Sequence, residues 1–198
     1  MAGTILPLAL FALVSTITPG GATTLATASG AQFGFRRSVP LMAGIALGLA
    51  SLAAAAAAGL AGLLLAAPAL ELALKLAGTL YLLWLARKIG RSGPPAMKTE
   101  LARPTGFIAG ACLLWLNPKG WAMTLGAAAS FAVLAANPPA LALLLGTTFG
   151  LAAAFSLTLW CLAGLMLARL LRTERQWRRL NGALGLLLAA SIVPMWLP

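Results

Sequence analysis

Two short stretches concentrate the polar chemistry of an otherwise apolar chain, Thr18-Pro19-Gly20-Gly21 and Asn117-Pro118-Lys119-Gly120. A proline inside a helix removes one amide donor and crowds the carbonyl one turn earlier, and an adjacent glycine lets the backbone open further. Freed backbone of this kind inside a bilayer is tolerated only where protein buries it or a wet cavity meets it. The partial charges of half-helix ends could then hold the carboxylate and the ammonium of a zwitterion. Lys119 adds a full charge. It is the one basic residue deep inside an apolar block, and an unpaired charge at that depth costs at least about 2.5–3.5 kcal/mol. It therefore calls for an anion, such as a substrate carboxylate, or for the carbonyls of a broken helix. Thr18, Pro19, Gly20, Gly21, Asn117, Pro118 and Lys119 are the candidate binding residues. The plainer reading is that both prolines only kink helices and shape the bundle.

Other chemistry is scarce. The threonines at 16, 18, 23, 24 and 27 surround the first break and could bind a polar ligand, although each could equally return its hydroxyl to its own helix. Glu71, Glu100 and Glu174 are the only carboxylates, and there is no histidine. That excludes a Ser-His dyad, an aspartyl pair and the usual zinc sites, so neither an enzyme, a metal nor a cofactor is expected. Glu71 stands four residues before Lys75, the spacing of an i,i+4 ion pair, and is the sole candidate for proton coupling. Cys112 and Cys161 lie far apart in apolar segments and read as small core residues. A membrane thiol–disulfide conductor would need two cysteines beside the breaks.

The elements that must position the breaks follow from composition. Of 198 residues, 61% are hydrophobic and 9% charged, which excludes an ordinary soluble domain. Six apolar blocks, residues 4–33, 40–66, 69–84, 105–135, 140–168 and 180–197, are each bounded by charges or Pro/Gly-rich joints, and about 20 apolar residues make one helical span. An all-α integral membrane protein of six transmembrane helices is predicted, in a single domain over 1–198. The break-bearing first and fourth helices each open one half, about 1–92 and 103–198. With three helices per half, the halves would be inverted repeats. The first basic residue is Arg36, so the N-terminus is expected to stay uncleaved. The Gly-x-x-x-Gly pairs Gly30/Gly34, Gly44/Gly48, Gly106/Gly110 and Gly146/Gly150 predict close helix packing and are compatible with a homodimer.

The net charge of +11 is not gathered for nucleic acid. Arg36 and Arg37 follow helix one. Arg87, Lys88, Arg91, Lys98 and Arg103 surround the third joint, and Arg169, Arg172, Arg175, Arg178 and Arg179 fill the fifth. The joints around Pro68 and Asn137 carry none. Basic loops face the cytoplasm and its anionic lipids, which predicts both termini on the periplasmic side.

On these residues the chain resembles the lysine-exporter (LysE) type family of amino-acid efflux proteins, which share Thr-Pro-Gly-Pro-Asn in helix one and Asn-Pro-Lys in helix four. The corresponding residues are Thr18-Pro19-Gly20-Gly21-Ala22 and Asn117-Pro118-Lys119. The segments 29–37 and 74–86 and the pair Gly106-Phe107 match as well, so the likeness covers nearly the whole chain. It implies export of amino acids or close relatives across the bacterial inner membrane, and most resembles the cysteine/O-acetylserine branch. Gly21 and Ala22 depart from the family's proline and asparagine. A passive channel or a lipid-handling protein would share the composition and the topology. A reporter fused after Pro198 is expected to be active on the periplasmic side; a cytoplasmic signal would overturn this orientation.

Overall fold

A computed structural model describes residues 2–60, 68–91, 105–193 and 196, and every regular element among them is helical. The order is α1 (Ala2–Ile17), α2 (Gly21–Ala55, ending in a π turn, Ala56–Leu60), α3 (Pro68–Gly90), α4 (Phe107–Trp115), α5 (Pro118–Ser130), a 3-10 turn (Ala132–Leu134), α6 (Pro138–Leu170) and α7 (Glu174–Ala190). The two interruptions fall where the Pro-Gly and Asn-Pro stretches predict them, between α1 and α2 and between α4 and α5. The starts of α6 and α7 are fixed by side-chain caps. Asn137 Oδ1 accepts from the Ala140 amide at 2.9 Å, and Thr173 Oγ1 accepts from the Gln176 amide at 3.2 Å.

The joint between the first two predicted helices is a turn without a loop. Gly34 takes φ 75° and ψ 175° inside α2, a conformation that favours glycine. There the chain folds back, because Ser29 and Ser38 hydroxyls lie 2.7 Å apart, whereas a straight helix rising 1.5 Å per residue would separate them by about 13.5 Å. α2 thus has two arms, residues 21–33 and 35–55.

Contacts give the directions of the helices. Phe11 meets Phe149, Thr16 meets Ser156 and Ile17 meets Trp160, so α1 and α6 run the same way. The second arm of α2 opposes α6, with Gly146 against Ala50 and Gly150 near Ala46. It runs with α4, since Gly44 faces Phe107 and Gly48 faces Ala111. α3 and α7 are antiparallel, with Thr79 bonded to Trp196 and Ala86 against Gly185. Gln32 beside the Gly34 turn bonds Asn181 of α7 at 3.4 Å, and Asn181 also borders Gly90 at the end of α3. Three basic joints therefore gather at one end of the bundle.

The polarity is inverted relative to a water-soluble fold. Leu6, Val14, Leu80, Ile108, Leu143, Leu151 and Leu186 are all exposed, while Thr23, Thr27, Ser29, Ser38, Asn117, Thr124, Ser156 and Asn181 are buried. No side-chain nitrogen or oxygen that is itself fully enclosed lacks a hydrogen-bond partner among the described residues. The runs Gly21–Gly59 and Pro138–Leu170 are long and apolar enough to cross a membrane, and Ile5–Ile17 is a shorter apolar helix.

Several sequence expectations shift. The last helix starts at Glu174 and ends at Ala190, not 180–197. Arg175, Arg178 and Arg179 are then helical rather than loop residues, and Glu174 pairs with Arg178 at 2.6 Å one turn on. The capping box at Thr173 and Gln176 starts this helix inside the charged run. The third helix continues to Gly90, so Arg87 and Lys88 sit in its last turn, where cations suit the helix dipole. Cys161 is buried, as expected of a small core residue, but Cys112 is exposed, on the outer side of α4. Gly34 and Gly106 pack against nothing; one makes the turn and the other caps α4. The side chains of Glu71 and Lys75, together with Glu100, Lys98 and Arg103, lie outside the described residues.

Close approach is real elsewhere. A methyl group at Gly30 would overlap the Cys161 carbonyl, and one at Gly164 would overlap the Thr27 carbonyl. Gly164→Val is expected to cost at least about 1–3 kcal/mol of stability through overpacking and to lower the melting midpoint in detergent. Gly182→Ala, where a methyl meets nothing within 4 Å, is the matched control.

Candidate functional site

Pro19 has no amide hydrogen, so the Ser15 carbonyl one turn earlier loses its helical donor, and no described residue replaces it. The next three carbonyls are each taken by a side chain from elsewhere in the bundle. Ser156 Oγ donates to the Thr16 carbonyl at 2.7 Å, Trp160 Nε1 to the Ile17 carbonyl at 3.0 Å, and Lys119 Nζ to the Thr18 carbonyl at 2.6 Å. The C-terminal end of α1 is thus tied to α6 by two bonds and to α5 by one. Lys119 finds broken-helix carbonyl rather than a carboxylate, one of the two partners its position demands.

On the other side of the break, α2 begins with an internal cap. Thr23 Oγ1 accepts from the Gly20 amide at 2.8 Å and donates to the Gly20 carbonyl at 3.0 Å. The amides of Gly21, Ala22 and Thr23 have no acceptor among the described residues, as the first turn of a helix requires. Gly20 leaves room for the lysine, since a methyl group there would stand 3.2 Å from Lys119 Cδ and 3.5 Å from Nζ. A side chain at Gly21 would press on Leu188 at 3.1 Å and Leu82 at 3.3 Å.

The second break is built differently. Asn117 is the N-cap of α5, its Oδ1 accepting from the Lys119 amide at 3.0 Å, with Pro118 at the first helical position, where no amide is needed. The end of α4 satisfies itself through Leu116 to Cys112 and Asn117 to Leu114, and Trp121 Nε1 bonds the Trp115 carbonyl at 2.7 Å. Asn117 is 5% exposed. Its Nδ2 has no partner among the described residues and lies 3.5 Å from where a methyl on Gly21 would stand. It therefore aims at the start of α2.

A cavity with about 40 Å³ of space for the centres of water-sized molecules separates these ends, enough for about three waters. Ser15, Thr16, Thr18, Gly20 to Thr23, Asn117, Lys119, Gly120 and Ser156 form its polar side, and Ile45, Leu49, Leu114, Met123, Ala153 and Leu157 its apolar side. Its charged lining among the described residues is one cation, Lys119, and no carboxylate. The backbone adds the positive end of α2 and the negative end of α1.

The structure thus brings Thr18, Gly20, Gly21, Asn117 and Lys119 to one place, with Pro19 and Pro118 making the two interruptions. Thr16, Thr18 and Thr27 return their hydroxyls to their own helices, bonding the carbonyls of Ala12, Val14 and Thr23. Ser15, Ser156, Trp160 and Met123 were not foreseen. Only the hydroxyl of Ser156 within an apolar run could have pointed to α6.

Helical bundles in which broken helix ends meet at an internal polar cavity are the architecture of translocators. The LysE type translocator family profile matches residues 13–191, and the chain belongs to that family. It is 33% identical over 186 residues to the cysteine/O-acetylserine efflux protein of Escherichia coli K12, covering 92% of both chains. It is 32% identical over 185 residues, again 92% of both, to the protein of the same name from Salmonella typhimurium LT2. No solved structure matches.

The cap and the free amide of Asn117 can be separated. Asn117→Ala is expected to cost about 1 kcal/mol through loss of the cap, whereas Asn117→Asp keeps the acceptor and stays near the wild-type midpoint. Thermal melting of purified protein in detergent checks both.

Proposed function

We propose that this protein is a secondary exporter that carries small amino-acid-like metabolites, of the cysteine and O-acetylserine kind, out across the bacterial inner membrane by alternating access. The names of its relatives suggest the substrate kind. The observation that carries the reading is the Lys119–Thr18 bond, which joins the two helix breaks beside a cavity lined by the donors Lys119 and Asn117 and by the carbonyl end of α1. A zwitterion fits that polarity, with its carboxylate toward Lys119, Asn117 Nδ2 and the first amides of α2. Its side chain would meet Leu49, Leu114 and Met123.

The membrane frame in this reading is six spans. α1 with the first arm of α2 makes the first span, and α4 with α5 makes the fourth. The antiparallel pairing of the second arm of α2 with α6, and of α3 with α7, supports two inverted three-helix halves. The gathering of basic joints at one end supports a cytoplasmic location for that end, with both termini periplasmic. Alternating access would part the two halves that the Lys119–Thr18 bond joins, a change that a static pore does not make. Both breaks belong to one chain, so the transport unit is a single bundle.

Efflux of labelled cysteine and O-acetylserine from preloaded cells, with lysine and leucine as controls, tests this reading. Lys119→Ala is expected to cut export of the transported compound by about tenfold or more, the worth of one charge-assisted hydrogen bond. Equal efflux by wild-type and variant proteins, both present in the membrane, would overturn the assignment. Trans-stimulated counterflow in proteoliposomes marks a carrier, and its absence with persistent flux marks a channel.

A further inference from the structure

The Lys119 ammonium sits where an amino acid's own ammonium would be expected to sit. The C-terminal end of α1 is the negative end of a helix dipole, and Pro19 leaves the Ser15 carbonyl without a donor among the described residues. Of the neighbouring carbonyls, Thr16 and Ile17 are held by neutral donors from α6, Ser156 and Trp160. The Thr18 carbonyl alone is held by a cation, and that cation comes from the other broken helix. Among the described residues that line the cavity there is no carboxylate that could hold Lys119 instead.

We propose that the Ser15 and Thr18 carbonyls form an ammonium subsite, and that Lys119 occupies it as a built-in competitor until a substrate arrives. This inference rests on the zwitterion reading of the same cavity. An entering amino acid gives its ammonium to the two carbonyls, and the displaced lysine turns to the incoming carboxylate, beside Asn117 Nδ2 and the amides of Gly21 and Ala22. One exchange thereby breaks the one side-chain hydrogen bond, among the described residues, from α5 to the end of α1 and replaces it with a substrate bridge. Lys119 is then a specificity-determining residue. A simple amine can displace the lysine but offers it no carboxylate, leaving a second cation unpaired in a confined site, so amines are rejected. No feature of the apolar wall is needed for that rejection.

The test uses full-length protein purified in detergent, with melting-midpoint shifts titrated against cysteine, cysteamine (the same molecule without its carboxylate) and 3-mercaptopropionate (the same molecule without its ammonium). Wild type is expected to bind cysteine and to bind cysteamine at least about tenfold more weakly. In Lys119→Met, cysteamine affinity is expected to rise about tenfold or more, because the competitor is gone, while cysteine loses its advantage. Unchanged weak cysteamine binding in Lys119→Met would overturn the proposal. Pro19→Ala gives an independent reading should the first variant fold poorly. It restores a donor for the Ser15 carbonyl, so cysteine binding should weaken several-fold while 3-mercaptopropionate binding holds. Equal weakening of both ligands, or of neither, would count against the subsite. Failure of wild type to bind cysteine, with cysteamine gained in Lys119→Met, would overturn the proposed cargo while leaving the ammonium subsite standing.

Discussion

Backbone that leaves a helix inside an apolar environment must find partners, and this fold is arranged around satisfying one such end. Three successive carbonyls at the end of α1 would each cost several kcal/mol if buried without a donor. A serine, a tryptophan and a lysine reach them from α6 and α5. Those reaches set how close α6 must lie to α1 and where α5 must begin. Lys119 meets its own need in the same contact, since a cation at that depth requires oxygen around it. The remaining helices hold that geometry in place.

The closest approaches between these helices are made at small residues, around a core that also buries large side chains such as Leu8, Leu49, Leu145 and Phe149. Gly30 and Gly164 bring the first arm of α2 and α6 into backbone contact, and Gly44, Gly48 and Gly110 do the same for the second arm and α4. Where lipid is as apolar as leucine, burying leucine gains little, and tight van der Waals packing becomes the cohesive term. The exterior presents large apolar side chains, and the interior mixes leucines with glycine, alanine and hydroxyls. An asymmetry between the breaks follows from their sequences. Asn117-Pro118 caps its own helix and needs no outside help, whereas Pro19-Gly20 leaves carbonyls that only tertiary partners can reach.

Much of this was legible beforehand. The breaks announce themselves because proline and glycine act on the backbone locally, and the helices because their apolar runs are long. The Asn117 cap is local too, and so is the placement of basic residues between apolar blocks. What the chain alone does not disclose is non-local. Ser156 and Trp160 sit in an ordinary apolar helix, and only its packing against α1 makes them partners. The reach of Lys119 to Thr18 spans 101 positions, and the choice between carbonyl and carboxylate partners could not be made from residue types. The start of α7 was misjudged because a charged run reads as loop, although Thr173 and Gln176 spell a helix start within it. Cys112 was misjudged because apolar surroundings in sequence do not distinguish a core face from a lipid face.

The clustering of basic side chains at one end has a kinetic meaning. Arg36, Arg37, Arg87, Lys88, Arg91 and the arginines at the start of α7 all lie on joints that meet near Asn181. Turning the bundle over would drag each of them through hydrocarbon, at a cost of about 2.5–3.5 kcal/mol or more for every one. The joint around Asn137 at the opposite end carries no Lys or Arg that would resist insertion. Whichever way the chain first enters the bilayer, these charges oppose its turning over afterwards, so its orientation is decided once, at biosynthesis.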